Sequence, residues 1–195
     1  YSLAPICSAQ RFAMKKDKPH RRSPAPKTAS PARAKGTGPQ RVRAILTKLD
    51  EAYPNVNCAL NHRNAFELLI ATILSAQCTD VRVNQVTSTL FQKYKTPEDF
   101  AYAHPRDLQA DIRPTGFFRN KTKSIQGASK RLIEEFDKKI PRTMEDLLTL
   151  PGVARKTANV VLGTAFGIAA GVVVDTHAQR LSGRLDLTRQ TDPKK

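Results

Sequence analysis

The sequence contains no tryptophan and only three cysteines, Cys7, Cys58 and Cys78, among its 195 residues. No two of these cysteines have the short spacing of a metal site. Their odd number and wide separation fit a reducing compartment. No apolar run reaches the roughly 20 residues that a membrane-spanning helix needs. We therefore expect no metal bound by this chain and no association with a membrane.

Acidic residues are also scarce, because 17 Asp and Glu stand against 33 Lys and Arg, which gives a formal net charge of +16. Residues 1–43 alone hold 11 basic residues and a single acid, Asp17. A chain this basic favours a polyanion as its partner. A basic but inert surface is the alternative.

The first 40 residues are rich in Pro, Lys, Arg, Ser and Ala and contain little that could form a core. We predict that residues 1–40 form a disordered basic tail. Met14 begins the stretch MKKDKPHRR, which is typical of a start, so the residues before it could be upstream sequence. An organelle transit peptide is a less favoured interpretation of the same composition.

Apolar residues recur at helical spacing, and no useful stretch alternates with the period of a strand. An amphipathic helix is predicted from Pro39 to about Tyr53. The run FELLIATILSAQ is apolar nearly all round, which predicts a central buried helix capped by Asn64, with Glu67 completing a capping box. We predict an all-α chain of roughly nine helices. The other predicted starts lie at Thr79–Asp80, Thr96–Pro97, His104–Pro105, Phe118, Thr143, about Ala154 and Asp175.

The stretch most suited to chemistry is LPGVARKTANVVLGTAFGIAAGVVVDTH, from Leu150 to His177. Pro151 and Gly152 end one helix, and Gly152 can adopt the positive φ of a tight turn. The next helix begins at about Ala154. Its first turn has unpaired N–H groups at the positive end of the dipole, which suits a phosphate.

Lys156 lies in that first turn, where the dipole and the expected burial against Val160 both favour a neutral, nucleophilic amine. The alternative is a solvated lysine or one more phosphate contact. Asp175 follows an apolar run and is expected to cap the next helix, a role that does not exclude catalysis.

These residues resemble a known family. LPGVARKTANVVL followed by VDTH is similar to the LPGVGRKTANVVL and VDTH of the helix-hairpin-helix DNA glycosylases, and within them of the endonuclease III family. FELLIATILSAQCTDVRVNQVT and IRPTGFFRNKTKSI resemble two further blocks of that family. The resemblance covers about residues 41–187, and Ala154 replaces the family's usual glycine.

The resemblance implies the helix-hairpin-helix glycosylase fold, a multi-helix bundle with its active-site cleft between two helical domains. Residues 41–60 would then hold a first helix that packs on the C-terminal domain. Residues 61–170 would form a six-helix domain with the hairpin at about 143–167, and residues 171–195 would begin a second, cluster-bearing domain. The implied function is base-excision repair by a monomeric glycosylase with AP-lyase activity (β-elimination) on oxidised pyrimidines in duplex DNA. Its implied location is the cytoplasm or nucleoid of a bacterial-type cell.

The family's functional residues map onto this sequence. Lys156 would form a Schiff base at C1′, assisted by Asp175, and Gln77 and Phe117 would enter the duplex. Asp80 would line the cleft, unless it only starts a helix, and His177 is expected to be a structural core residue. The predicted phosphate contacts are the backbone of Gly152, Val153 and Ala154 and the side chains of Arg155 and Lys121.

The family usually carries a [4Fe–4S] cluster on four closely spaced C-terminal cysteines, which this sequence lacks. We therefore expect a truncated chain, with the cluster ligands beyond Lys195. A non-catalytic helix-hairpin-helix DNA-binding module, or an inactive fragment, is the alternative function. Monofunctional relatives have Ser or Tyr where this chain has Lys156, which disfavours them.

Overall fold

The computed structural model describes residues 38–192, so Met14 and nearly all of the predicted basic tail lie outside the described residues. Within this range the backbone forms nine α-helices and one 3₁₀ turn, with no strand, which confirms the all-α prediction. The helices are α1 (Pro39–Ala52), α2 (Ala65–Ser75), α3 (Asp80–Lys93), α4 (Pro97–Tyr102), α5 (Pro105–Ile112), α6 (Phe118–Glu135), α7 (Met144–Thr149), α8 (Arg155–Phe166) and α9 (Thr176–Arg184), and the 3₁₀ turn is Arg113–Thr115.

Side-chain caps determine where several helices begin, as predicted. The side-chain oxygen of Asn64 accepts a hydrogen bond from the N–H of Glu67, three residues further on. The capping box predicted with Glu67 is wrong in one detail, because the Glu67 carboxylate accepts from the N–H of Arg63 rather than from that of Asn64. Each of these bonds pairs an N–H group that a helix end leaves without a partner. The same three-residue cap occurs at Thr79, Thr96 and Thr143.

Helix α2 is the centre of the fold, as its apolar sequence predicts. Eight of its eleven residues are buried. It packs against α3, α6 and α8. A helix surrounded on all sides must be apolar all round, and burial of each leucine or isoleucine contributes about 1.5–3 kcal/mol.

The long helix α6 provides the second layer, with α4 and α5 packed against it. The α7–α8 pair forms the helical hairpin, and α8 returns to pack on α2. This arrangement brings the C-terminal end of α2 near the N-terminal ends of α6 and α8, where the candidate site lies.

Helices α1 and α9 differ from the rest, since neither has a buried residue. They are connected by a hydrogen bond of 2.7 Å from the Arg41 guanidinium to the carbonyl oxygen of Leu185. The packing of the first helix on a C-terminal domain and the division into two domains stay predictions. Among residues 38–192, none of the helices is both long enough and apolar enough to cross a bilayer.

Candidate active site

The turn between α7 and α8 depends on Gly152. Its φ is +79°, and a Cβ placed there would lie 2.5 Å from the Cβ of Ser124 on α6. Both facts exclude a side chain, because L residues rarely adopt this φ and a contact under 3.0 Å is not tolerated. The N–H of Val153 closes the turn by donating to the carbonyl oxygen of Leu150 at 3.1 Å.

The start of α8 is open to an anion. Ala154 is the N-cap residue, and the helix has neither a capping side-chain hydrogen bond nor an acidic residue in its first turn. Its first N–H groups therefore keep the partial positive charge of the helix end. Ala154 has φ −98°, so alanine fits where the resembled family usually has glycine.

Lys156 and Asp175 lie together in one cavity of about 570 Å³, whose walls come from the end of α2 and the beginnings of α8 and α9. The Nζ atom of Lys156 is 3.9 Å from a carboxylate oxygen of Asp175. The expected burial of Lys156 against Val160 is wrong, because 55 % of its side chain is exposed. The remaining lining residues are Ser75, Gln77, Cys78, Val174, Thr176, His177 and Gln179.

Asp175 caps α9, as predicted. One of its carboxylate oxygens accepts from the N–H groups of Ala178 at 2.8 Å and His177 at 3.0 Å. The backbone hydrogen bond from Ala178, together with the positive charge of Lys156, holds the pKa of the Asp175 carboxyl below its usual value. Asp175 is therefore an anion at neutral pH, 3.9 Å from the amine of Lys156.

His177 is not the core residue that the sequence analysis expected. Its side chain is exposed, and its Nδ1 atom lies 3.1 Å from the guanidinium of Arg180. It follows Asp175 by only two residues, on the exposed first turn of α9, which explains why it reaches the cavity instead of the interior.

Asn159, which the sequence analysis missed, connects α8 to the segment that carries Asp175. Its side-chain amide donates to the carbonyl oxygen of Val172 at 3.3 Å. A Cβ at Gly171 would lie 3.1 Å from the Asn159 amide, so the segment passes very close to it. Asn159 is buried, and its Oδ1 has no partner among the described residues. The only sequence signal is its position, three residues after Lys156 on the helix.

Gln77 and Phe117, the residues expected to enter a duplex, both have left-handed backbones, with φ of 53° and 46°. Such a backbone costs a non-glycine residue roughly 1–2 kcal/mol and concentrates at functional sites. The two residues line one cavity of about 260 Å³ together with Ser124 and Gly152. Phe117 is 63 % exposed, so it is not ordinary core. Gln77 also lines the cavity of Lys156, which places the turn, the two loops and the lysine side by side.

Lys121 is buried, so the prediction that it contacts a phosphate does not fit its position. Its Nζ atom donates to the carbonyl oxygens of Leu74 and Thr115, at 2.8 Å each. Burial lowers the pKa of the Lys121 amine. Leu74 lies three residues before Gln77, and Thr115 lies two before Phe117, so this one side chain joins the two loops.

The remaining predicted residues divide between the site and its surroundings. Arg155 is exposed at the first position of α8, beside the turn, and Val153 is buried, so Val153 can present only its backbone. Asp80 is exposed at the first position of α3 and does not line the Lys156 cavity, which favours its alternative role as a helix-start residue.

In the described part of the chain, no three His, Cys, Asp or Glu side chains come together as a metal site, and Cys58 and Cys78 are free thiols.

Comparisons with known proteins agree with this geometry. A family model described as HhH-GPD superfamily base excision DNA repair protein matches residues 70–195. Endonuclease III of Synechocystis sp. is 58 % identical over 154 residues, covering 79 % of this chain and 70 % of that protein. A solved non-covalent endonuclease III–DNA complex superposes with a TM-score of 0.75 at 48 % identity, covering 78 % of this chain and 71 % of that one. A trapped endonuclease III–DNA covalent intermediate, an estranged-adenine complex, gives the same values.

Proposed function

The chain belongs to the HhH-GPD superfamily of base excision DNA repair proteins, and on that premise we propose that it is a bifunctional DNA glycosylase and AP lyase. The observation that carries the proposal is the 3.9 Å approach of the Lys156 amine to the Asp175 carboxylate inside an open cavity. A phosphate-binding module requires neither a carboxylate nor a nucleophile at that place. The relative that was trapped covalently on DNA supports a covalent route.

In the proposed reaction the damaged nucleotide leaves the base stack and enters the cavity, because its C1′ atom is inaccessible inside a duplex. In its neutral form the Lys156 amine attacks C1′, the bond from C1′ to the base breaks with its electron pair leaving on the base, and the base anion takes a proton from water. Asp175 stabilises the positive charge that develops on the sugar and accepts a proton from the lysine nitrogen. Ring opening gives a Schiff base, and loss of a C2′ proton then expels the 3′ phosphate.

We propose that the loops that carry Gln77 and Phe117 hold the duplex open. Phe117 is large and exposed, so it can enter the stack and occupy the space that the extruded nucleotide leaves. The Gln77 amide can pair with the exposed edge of the orphaned base. The backbone of the Gly152–Ala154 turn and the side chain of Arg155 would bind a phosphate 3′ of the lesion.

We further propose that the chain acts as a monomer on oxidised pyrimidines and abasic sites, and that it is located in the cytoplasm or nucleoid of a bacterial-type cell. The [4Fe–4S] cluster of the family needs four thiolates. This chain has three widely spaced cysteines, so its residues do not fit a cluster, and no step of the reaction is assigned to one. That the cysteine ligands of the cluster lie beyond Lys195 stays a prediction.

Borohydride trapping on a duplex containing thymine glycol tests the proposal. The wild-type chain is expected to give a covalent protein–DNA adduct, and Lys156→Ala to give none, since the Schiff base needs that amine. Lys48→Ala, which removes an exposed lysine of α1, serves as the matched control and should trap like wild type. Binding without an adduct in wild type would indicate a DNA-binding module instead of an enzyme.

A further inference from the structure

Three arginines line another cavity, formed by residues that precede and follow Phe117 in the chain. Arg106 of α5, Arg113 of the 3₁₀ turn and Arg119 of α6 line a cavity of about 350 Å³. All three side chains are exposed. We call these residues the arginine cluster. None of them lines the catalytic cavity or belongs to the hairpin turn. Arg113 and Arg119 lie within the IRPTGFFRNKTKSI block, and Arg106 lies outside the blocks that resemble the family.

Among residues 38–192, the positive charge of the arginine cluster has no counterion. No guanidinium of the three forms an ion pair or a hydrogen bond within residues 38–192, and Arg119 only lies over the Phe118 ring at 5.6 Å. No carboxylate is among the residues that line the cavity, and that of Asp111, on α5 like Arg106, is bonded to Lys93 at 2.7 Å and to Tyr94 at 3.0 Å. Three unpaired guanidinium groups around one cavity favour an anionic ligand, and arginine is well suited to phosphate because its planar fork can donate two parallel hydrogen bonds.

The arginine cluster is close in the chain to the loop that carries Phe117. Gln77 lines both the Lys156 cavity and the cavity of Phe117 and Gly152. Phe118, the next residue after Phe117, lines the cavity of the arginine cluster. Arg113 and Arg119 therefore stand four residues before and two residues after Phe117, the residue that is proposed to enter the duplex.

We propose that the arginine cluster binds phosphates of the DNA strand opposite the lesion. The inference rests on the proposed function, in which the hairpin turn holds the damaged strand and Phe117 enters between the strands. A duplex opened in this way brings its second backbone near Phe117, and Arg113 and Arg119 flank that residue in the chain. The cluster then supplies the binding that keeps the undamaged strand in place while the damaged nucleotide is turned out.

The first test measures how salt weakens binding to a duplex with a stable abasic-site analogue. Each phosphate contact contributes about 0.9 to the slope of log K against log salt concentration. Arg113→Gln/Arg119→Gln should reduce the magnitude of the slope by about 1.8 and weaken binding at least about tenfold at low salt. The matched control, Arg43→Gln/Lys48→Gln, removes the same charge from the exposed side of α1 and should change the slope by less than half as much. Equal slopes for the two variants would overturn the proposal.

The second test identifies the strand. Neutral methylphosphonate linkages are placed singly along either strand, and the loss of affinity is measured for wild type and for Arg113→Gln/Arg119→Gln. Wild type should lose affinity at one or two positions opposite the lesion, and the variant should show no further loss there. Coupling only to positions on the damaged strand would contradict the assignment.

Borohydride trapping distinguishes a failure of this inference from a failure of the proposed function. The variant retains Lys156 and Asp175, so at saturating DNA it should still form a covalent adduct. If wild type gives no adduct, the proposed glycosylase and lyase activity is wrong. If wild type and the variant both give an adduct and their salt slopes are equal, only the proposed role of the arginine cluster is wrong. Circular dichroism should show unchanged thermal unfolding, since the substituted residues are exposed.

Discussion

The two halves of the catalytic pair come from parts of the molecule that are held in very different ways. Every buried apolar side chain of the described residues lies between Leu60 and Leu162, and Lys156 is on a helix anchored in that region by Ala158, Val161 and Leu162. Asp175 stands before α9, which buries no residue.

What holds Asp175 is a small set of polar contacts. Asn159 bonds the carbonyl oxygen of Val172, Arg41 bonds that of Leu185, and the Gln179 amide donates to the carbonyl oxygen of Thr191. Hydrogen bonds of this kind contribute about 0.5–1.5 kcal/mol each, less than a packed core residue. The Lys156–Asp175 distance therefore depends on a few directional hydrogen bonds, although the helix that carries the lysine is held by packing.

The largest expected effect compares one side chain from each region. Phe100 is fully buried and contacts Phe66 edge-to-face, with ring centroids 5.6 Å apart. Phe100→Ala should reduce the free energy of unfolding by about 3–5 kcal/mol, because it leaves a cavity in the core. Leu181→Ala on α9 should cost less than about 1 kcal/mol, since this leucine is 50 % exposed. Urea denaturation measures both, and similar losses would mean that α9 belongs to the core.

A smaller effect is expected from the bond between the two regions. Asn159→Ala leaves the carbonyl oxygen of Val172 without its donor and frees the segment that carries Asp175. We expect the trapping rate to fall about tenfold, because a displaced carboxylate no longer faces the amine, whereas stability falls by only about 1 kcal/mol. Thr164→Ala, an exposed change on the same helix, is the control. An unchanged rate would show that core packing alone sets the distance.

The smallest effect is on the acid side of the stability profile. The pKa of Asp175 is lowered in the folded chain, so the stabilisation from its charge is present above the ordinary carboxyl pKa and is lost as pH falls through the folded value. Between pH 5 and pH 2, wild type should therefore lose more stability than Asp175→Asn, whose amide still caps α9. The difference should stay below about 1 kcal/mol, because 40 % of the side chain is exposed. Urea denaturation measures the stability of both chains across this pH range, and an equal loss of stability in wild type and Asp175→Asn would contradict this linkage.

The features that the sequence predicted are local. Asn64, Thr79, Thr96 and Thr143 start helices because a side chain meets an N–H group three residues away, which any chain segment can arrange by itself. The positive φ of Gly152 likewise follows from a turn between two helical patterns. These determinants need no knowledge of the rest of the fold.

The features that the sequence did not predict depend on distant parts of the chain. Lys121 is buried because Leu74, 47 residues earlier, places a carbonyl oxygen beside it. Asn159 bonds the carbonyl oxygen of Val172 because of the path of the loop between α8 and α9, and the sequence of that loop has no periodic pattern. Lys156 was expected to be buried, but the apolar face of α8 points to α2 and leaves the first turn open.

The Lys121 side chain has a consequence for the energetics of opening DNA. Its two hydrogen bonds fasten the end of α2, just before the loop of Gln77, to the 3₁₀ turn just before Phe117. Ordering flexible segments costs conformational entropy, and a complex that orders them on binding loses that amount from its affinity. Here the cost falls on folding instead, because the two loops are joined before any duplex arrives. DNA then binds to two loops that are already joined, and the binding energy remains available for unstacking the damaged nucleotide.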